Sequence, residues 1–116
     1  MRYLVMYKPE KVGVPPTQGQ MAEMGRLVDE GMKSGALVAT GGLHPSGKDA
    51  RVRLSGGKLT VIDGPFTESK ELIGGFAIIQ AKSREEAIQM TKDFLKIAGD
   101  GESVMHLVMD GPPDLQ

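Results

Sequence analysis

The sequence has no cysteine and no tryptophan, and only two tyrosines and three phenylalanines. Without cysteine, disulfide scaffolding and thiolate chemistry are excluded, and the absence fits an intracellular setting. So few aromatic rings leave little surface on which nucleic-acid bases could stack. Charge of one sign is also missing, since fourteen basic residues stand against fifteen acidic ones for a formal net charge of -1. A chain with no net field has nothing to draw it nonspecifically to nucleic acid or to an anionic membrane. No apolar run approaches the ~20 residues of a membrane span, and Arg2 to Tyr7 is too short for the apolar region of a signal peptide. A soluble, cytoplasmic protein is expected. Two isolated histidines without cysteine make no structural zinc site, and GxGxxG, P-loop and nucleophile-elbow motifs are absent, so no cofactor is expected.

At 116 residues the chain has room for one core. A single domain over residues 1–110, with a short tail at 111–116 released by Gly111-Pro112-Pro113, is the expected organisation. Tyr3 to Tyr7 reads as a first strand. Thr17 with Gln20 three residues on has the form of a capping box, and Met21, Met24, Val28 and Met32 follow at helical spacing, which predicts a helix from Gln18 to Ser34 stopped by Gly35. Leu37 to Thr40 is a second strand broken by Gly41-Gly42. Arg51 to Leu54 and Leu59 to Ile62 make a hairpin across Ser55-Gly56-Gly57-Lys58. A strand through Phe76 to Ile79 follows, then a second capping box, Ser83 with Glu86, opens a helix whose stripe is Ala87, Ile88, Thr91, Phe94, Leu95 and Ala98. Val104 to Met109 is the last strand. The order is β-α-β, hairpin, β-α-β, which is the α+β, ferredoxin-like (split βαβ) pattern with an inserted β-hairpin.

Two helices cover one face of such a sheet, yet the terminal strands are apolar on both faces. Leu4 and Met6 alternate with Tyr3, Val5 and Tyr7, and Met105, Leu107 and Met109 with Val104 and Val108. The second face needs a partner, and a two-fold dimer that stacks sheet faces is the expectation.

The chain is organised around Asp63 to Phe76. Asp63-Gly64-Pro65 ends a strand, because Asp caps its own turn, Gly permits positive φ and Pro lacks a ladder donor. Gly74-Gly75 sits inside a strand pattern, where missing side chains mark a bulge or a group packed against the backbone, and so a candidate pocket floor. Asp63 is a candidate general base, with a plain turn cap as the alternative. Phe66 is a candidate pocket wall or a core plug. His44, before Pro45, is a candidate ligand group or an inert loop histidine. His106 shares a face with Val104 and Val108 and must find a partner, either Asp63 in an acid-base dyad or backbone and water. Arg53, with Arg51 on the same hairpin face, suits a carboxylate or phosphate, or simply guards a sheet edge. Glu68, Lys70 and Glu71 carry the same two readings beside the glycine pair.

Asp63-Gly64-Pro65-Phe66, then Glu68, Lys70-Glu71 and Gly75-Phe76, resembles the signature of the DGPF group of YCII-related proteins. Gly42-Leu43-His44-Pro45-Ser46, Ala50-Arg51-Val52-Arg53 and Ser55-Gly56-Gly57-Lys58 are similar to the same group in order and spacing, so the resemblance covers nearly the whole chain. It implies a small dimeric ferredoxin-like domain of unestablished activity. Relatives in that group also occur joined to or near extracytoplasmic-function sigma factors, which implies a transcription-linked protein partner as one possibility. The better-known YCII branch uses a His and Asp pair, with the His near the first helix. This chain has no His there, so only Asp63 has a counterpart. Glu-x-Arg in the last strand of DGPF relatives is replaced by Val104-Met105-His106, which implies a changed ligand or an inactive copy. Two function classes stand side by side: a binder of a small polar molecule beside the Asp63 loop, with cofactor-free proton transfer by Asp63 or His106, and a noncatalytic interaction module.

Overall fold

The computed structural model describes residues 1–11, 13–44, 49–64 and 73–110. Eight elements follow in order: β1 (Arg2–Pro9), α1 (Gln18–Ser34), β2 (Leu37–Gly42), β3 (Ala50–Ser55), β4 (Lys58–Asp63), β5 (Gly75–Gln80), α2 (Arg84–Ala98) and β6 (Gly101–Leu107). Four strands form one antiparallel sheet in the order β2-β5-β1-β6. That order, with one helix after β1 and one after β5, is the ferredoxin-like arrangement. β3 and β4 form a separate two-stranded sheet.

Both helices lie on one face of the four-stranded sheet. Tyr3, Val5, Ile79, Ala81 and Ala87 are buried there, with Leu37, Ala77, Met90 and Met105 packed against them. Residues opposite one another in an antiparallel pair share a face, so Leu4, Met6, Phe76, Ile78, Val104 and His106 belong to the other side. No element packs on that side among the described residues. The molecule is accordingly flat, 45 × 44 × 20 Å, with a radius of gyration of 16.5 Å. A compact chain of this length would have roughly 13 Å.

Local sequence accounts for the helix ends. Thr17 accepts from the Gln20 backbone N–H at 3.1 Å, and the Gln20 side chain accepts from the Thr17 N–H at 2.8 Å, so the expected capping box is complete. The Gln20 amide also donates to the Ile97 carbonyl at 3.2 Å, tying the start of α1 to the last turn of α2. The box at Ser83 is only half formed. Ser83 caps Glu86, but the Glu86 carboxylate reaches Lys82 N–H at 3.4 Å instead of Ser83.

Several boundaries differ from expectation. β2 continues through Gly41-Gly42, because these residues pair with Phe76 and Gly75 and the Phe76 ring fills the space where a Gly41 side chain would stand. β6 begins three residues early, drawn into register by Glu102 opposite Lys8 and Gly101 opposite Pro9. In α1 no residue is fully buried. Met21 and Met32, expected on its inner stripe, are 54% and 48% exposed. Met24 and Val28 of that stripe are half-buried as expected, and Leu27 and Gly31 take the place of the other two. Gly31 is what lets α1 approach β2, since a Cβ there would lie 2.9 Å from Leu37 Cβ. The expected tail at 111–116 falls outside the described residues.

Gly25 and Gly31 are therefore opposite cases on one helix. A Cβ at Gly25 meets nothing within 4 Å. Gly25→Ala gains helix propensity of about 0.8–1 kcal/mol and should raise the melting temperature by about 3–6 °C. Gly31→Ala gains the same propensity but must push Leu37 away, at about 1–3 kcal/mol. Calorimetry of the two variants should show the first more stable than the parent and the second no more stable, or less.

Candidate functional site

A cavity of about 1400 Å³ separates the sheet from the helices. That exceeds the roughly 300–1,000 Å³ of an ordinary ligand pocket. The helix side contributes Met24, Val28, Met90, Phe94 and Ile97, and the sheet contributes Val5, Tyr7, Ala77 and Ile79. Most of the α1 and α2 stripe read from the sequence as core thus lines open space. The lining is mainly aliphatic, which differs from the expectation of a pocket for a polar molecule.

One end of the cavity is formed by glycines. Gly74 and Gly75 line it together with Gly41, Gly42 and His44. The glycines are required by close approach. A Cβ on Gly74 would stand 3.0 Å from Pro9 Cδ, and one on Gly75 would stand 3.0 Å from the Gly41 carbonyl oxygen. Backbone bonds fix this corner: Gly74 N–H donates to Tyr7 O at 2.7 Å, and Leu43 N–H donates to Gly74 O at 3.0 Å. The glycine pair is packed between β1 and β2, with neighbouring atoms where its side chains would stand, and presents bare backbone at the cavity's edge.

Tyr7 is the polar group that sequence reasoning passed over, having read it only as an alternating strand residue. Its ring meets Phe94 edge to face at 5.2 Å between centroids. Its hydroxyl faces the carbonyls of Gly99 and Asp100, each at 3.3 Å. Gly101 makes room, since a Cβ there would lie 2.8 Å from Tyr7 Cε1. Desolvation by burial, and secondarily the nearby Asp100 charge, raises the phenol above its ordinary value. Phe94 on the predicted helix stripe and a tyrosine at the end of β1 were both legible, but their pairing depends on how α2 crosses the sheet.

The other candidates are dispersed. Asp63 is the exposed last residue of β4, opposite Ala50, and Gly64 N–H donates to Asp49 O to close the hairpin base. The turn that Asp63 was expected to cap continues into Pro65 and Phe66, outside the described residues. His106 is exposed, opposite Leu4 on the face away from the helices, and does not line the cavity. Within one chain Asp63 and His106 sit in different sheets and no bond joins them. The reason is topological, because the hairpin bearing Asp63 pairs with neither edge of the main sheet. Arg53, opposite Thr60, shares the polar hairpin face with Arg51 and also lies away from the cavity. Phe66, Glu68, Lys70 and Glu71 fall outside the described residues. No group of three or more His, Asp or Glu side chains suited to a metal ion occurs among the described residues. Nor is any helix among them long and apolar enough to cross a membrane.

Comparison with known proteins adds three findings. Residues 1–101 match the YCII-related domain. An uncharacterized protein of Rhizobium meliloti (strain 1021) is 33% identical over 73 residues, a stretch that covers 63% of this chain and 59% of that relative. The fold is similar to that of 5-chloro-2-hydroxyhydroquinone dehydrochlorinase from Burkholderia phenoliruptrix AC1100, solved in complex with 2,5-dihydroxybenzoquinone. The TM-score is 0.55 at 15% identity, over 96% of each chain.

The raised phenol sets a pH test. Because Tyr7 ionises later in the folded chain than in the unfolded one, its contribution to stability is complete below the ordinary value of 10.0 and is lost as pH climbs through the higher folded value. Melting curves of the parent and Tyr7→Phe should differ by a constant amount up to that pH. Above it the parent should lose stability faster, and parallel curves throughout would contradict the desolvation of the ring.

Proposed function

The chain belongs to the YCII-related family, and on that premise we propose that it binds a small molecule between its sheet and its helices, at the glycine-floored end of the cavity. The observation that carries the reading is the corner formed by Gly74, Gly75, His44 and Tyr7, where polar groups and bare backbone meet an aliphatic chamber. Such a site suits a ligand with an apolar body directed toward Met24, Val28, Met90 and Phe94 and a polar group toward the glycines. This refines the polar ligand expected from sequence. The fold neighbour's complex with 2,5-dihydroxybenzoquinone, a small ring bearing polar groups, supports a ligand of that size, while its 15% identity carries no residue assignments. Membership of the DGPF subgroup within that family is part of the proposal. Dimerisation is part of it too, because no element among the described residues covers the face bearing Leu4, Met6, Phe76, Ile78 and Val104.

A thermal-shift screen of the purified protein against small metabolites tests the binding reading. A ligand specific to the native state at 100 times its Kd stabilises by about 2.7 kcal/mol, an increase of roughly 8–15 °C in melting temperature. Gly25 lines the cavity and faces open space. Gly25→Leu should therefore abolish the shift while leaving the fold intact. A hit that survives Gly25→Leu unchanged would place the ligand elsewhere. For the assembly, light scattering at micromolar concentration should give twice the chain's mass, and a monomer would remove that part of the proposal.

A further inference from the structure

The hydroxyl of Tyr7 has its one proton already engaged. Tyr7 lines the chamber beside Gly74, whose N–H bonds its carbonyl, and its hydroxyl donates toward two carbonyl oxygens, those of Gly99 and Asp100, each at 3.3 Å. A single O–H···O bond is shorter, roughly 2.7–2.8 Å, so the proton is shared between two acceptors and held closely by neither. Turning it toward the chamber would leave three oxygens facing one another with no hydrogen between them, in a place where the Asp100 carboxylate adds its charge. The ring has little freedom to carry the hydroxyl elsewhere. Phe94 meets it edge to face at 5.2 Å, and the Gly101 backbone comes so near that a Cβ there would lie 3.0 Å from the hydroxyl oxygen. What the hydroxyl offers the chamber is therefore its other capacity, the lone pairs that accept a hydrogen bond.

We propose that Tyr7 selects the ligand's polar group: the chamber takes an apolar molecule that carries a hydrogen-bond donor, a hydroxyl or an amine, and rejects the carboxylate of the same body. This rests on the binding reading above and names the class of ligand. A carboxylate brings only acceptors to an oxygen that can itself only accept, and a buried mismatch of that kind costs more than an ordinary bond left unmade. Charge acts in the same direction. Among the described residues, the charged groups lining the chamber are Glu30, Asp93 and Asp100 against Lys11, with His44 as a titratable neighbour. Asp93 is engaged away from the phenol, accepting from the Gln89 amide at 2.9 Å and facing Lys96 at 3.9 Å. Asp100 is the charge felt at Tyr7, and its backbone is pinned there because the Glu10 N–H donates to its carbonyl at 3.1 Å. A donor is thus welcome beside the phenol and an anion is not. The aliphatic wall of Met24, Val28, Met90 and Ile97 suits the rest of the molecule.

Three probes with one body separate the outcomes: 2-naphthol, which donates; 2-methoxynaphthalene, which keeps the oxygen but has no donor; and 2-naphthoate, an anion. The chain has no tryptophan, so naphthalene fluorescence is read without protein background. Titrations at neutral pH should give 2-naphthol an affinity about three- to tenfold above that of 2-methoxynaphthalene, the worth of one hydrogen bond, with 2-naphthoate the weakest of the three. Tyr7→Phe, with its fold checked by circular dichroism, should bring 2-naphthol down to the level of 2-methoxynaphthalene and leave the latter where it was. A purely structural role for Tyr7 would lower both alike. Equal binding of all three, tightest binding of 2-naphthoate, or a preference for 2-naphthol that survives Tyr7→Phe would each overturn donor selection by Tyr7. The chamber itself stands in those cases as long as Gly25→Leu abolishes the binding. Binding that Gly25→Leu leaves intact, or no binding of any probe, overturns both. The comparison among probes on the parent protein decides the matter even if Tyr7→Phe fails to fold.

Discussion

Two helices can shield only one face of a four-stranded sheet, and most features of this molecule follow from that limit. β1 lies in the middle, paired with β5 on one side and β6 on the other, and its alternate residues meet two different environments. Tyr3 and Val5 are buried beneath the helices, whereas Leu4 and Met6 are only half covered by their neighbours in the sheet. Among the described residues only five apolar side chains are buried, and the largest of them is Tyr3. A thin core of this kind is marginal alone, since smaller domains bury a smaller fraction of their surface on folding. The remaining apolar surface is displaced into two places: a chamber between helix and sheet, and the faces turned outward.

The chamber exists because α1 is held at its ends more firmly than along its length. Its first turn is anchored by Gln20, which completes the capping box with one end of its amide and bonds the Ile97 carbonyl with the other. Its last turns close on β2 through Gly31. Between those anchors Met24 and Val28 face space. A glutamate at position 20 could complete the box, but it has no donor for the Ile97 carbonyl, so the amide matters beyond capping. At the glycine end of the chamber the constraint is reversed: the strands approach so closely that no side chain fits at Gly74 or Gly75.

Patterns governed by local rules were legible in the sequence. Thr17 with Gln20 placed the start of α1, Gly35 its end, and the two glycines of Ser55-Gly56-Gly57-Lys58 the hairpin turn, because each depends on a few bonds between near neighbours. Gly74-Gly75 was recognisable as a place of close approach, although the partners, Pro9 and the Gly41 carbonyl, come from distant strands. What failed depended on register or on the docking of whole elements. Gly41-Gly42 reads as a break in any local scheme, and only pairing with Gly75 and Phe76 keeps it in the sheet. Met21 and Met32 have ideal helical spacing, but the roll of α1 about its axis brings Leu27 and Gly31 inward instead. Asp63 and His106 are attractive as a pair in one dimension, yet they lie in separate sheets. Tyr7 was invisible as a site residue, because its significance comes from Phe94, Gly99 and Gly101, all more than eighty residues away.

Whether a small molecule enters the chamber is decided most directly at its walls. Met24 and Met90 line it, whereas Met109 is exposed and does not, so methyl resonances distinguish a chamber ligand from one bound elsewhere. A compound that stabilises the protein should shift the Met24 and Met90 methyl signals and leave that of Met109 in place. Met24 and Met90 signals that stay unmoved at a saturating concentration of the compound would contradict binding between sheet and helices.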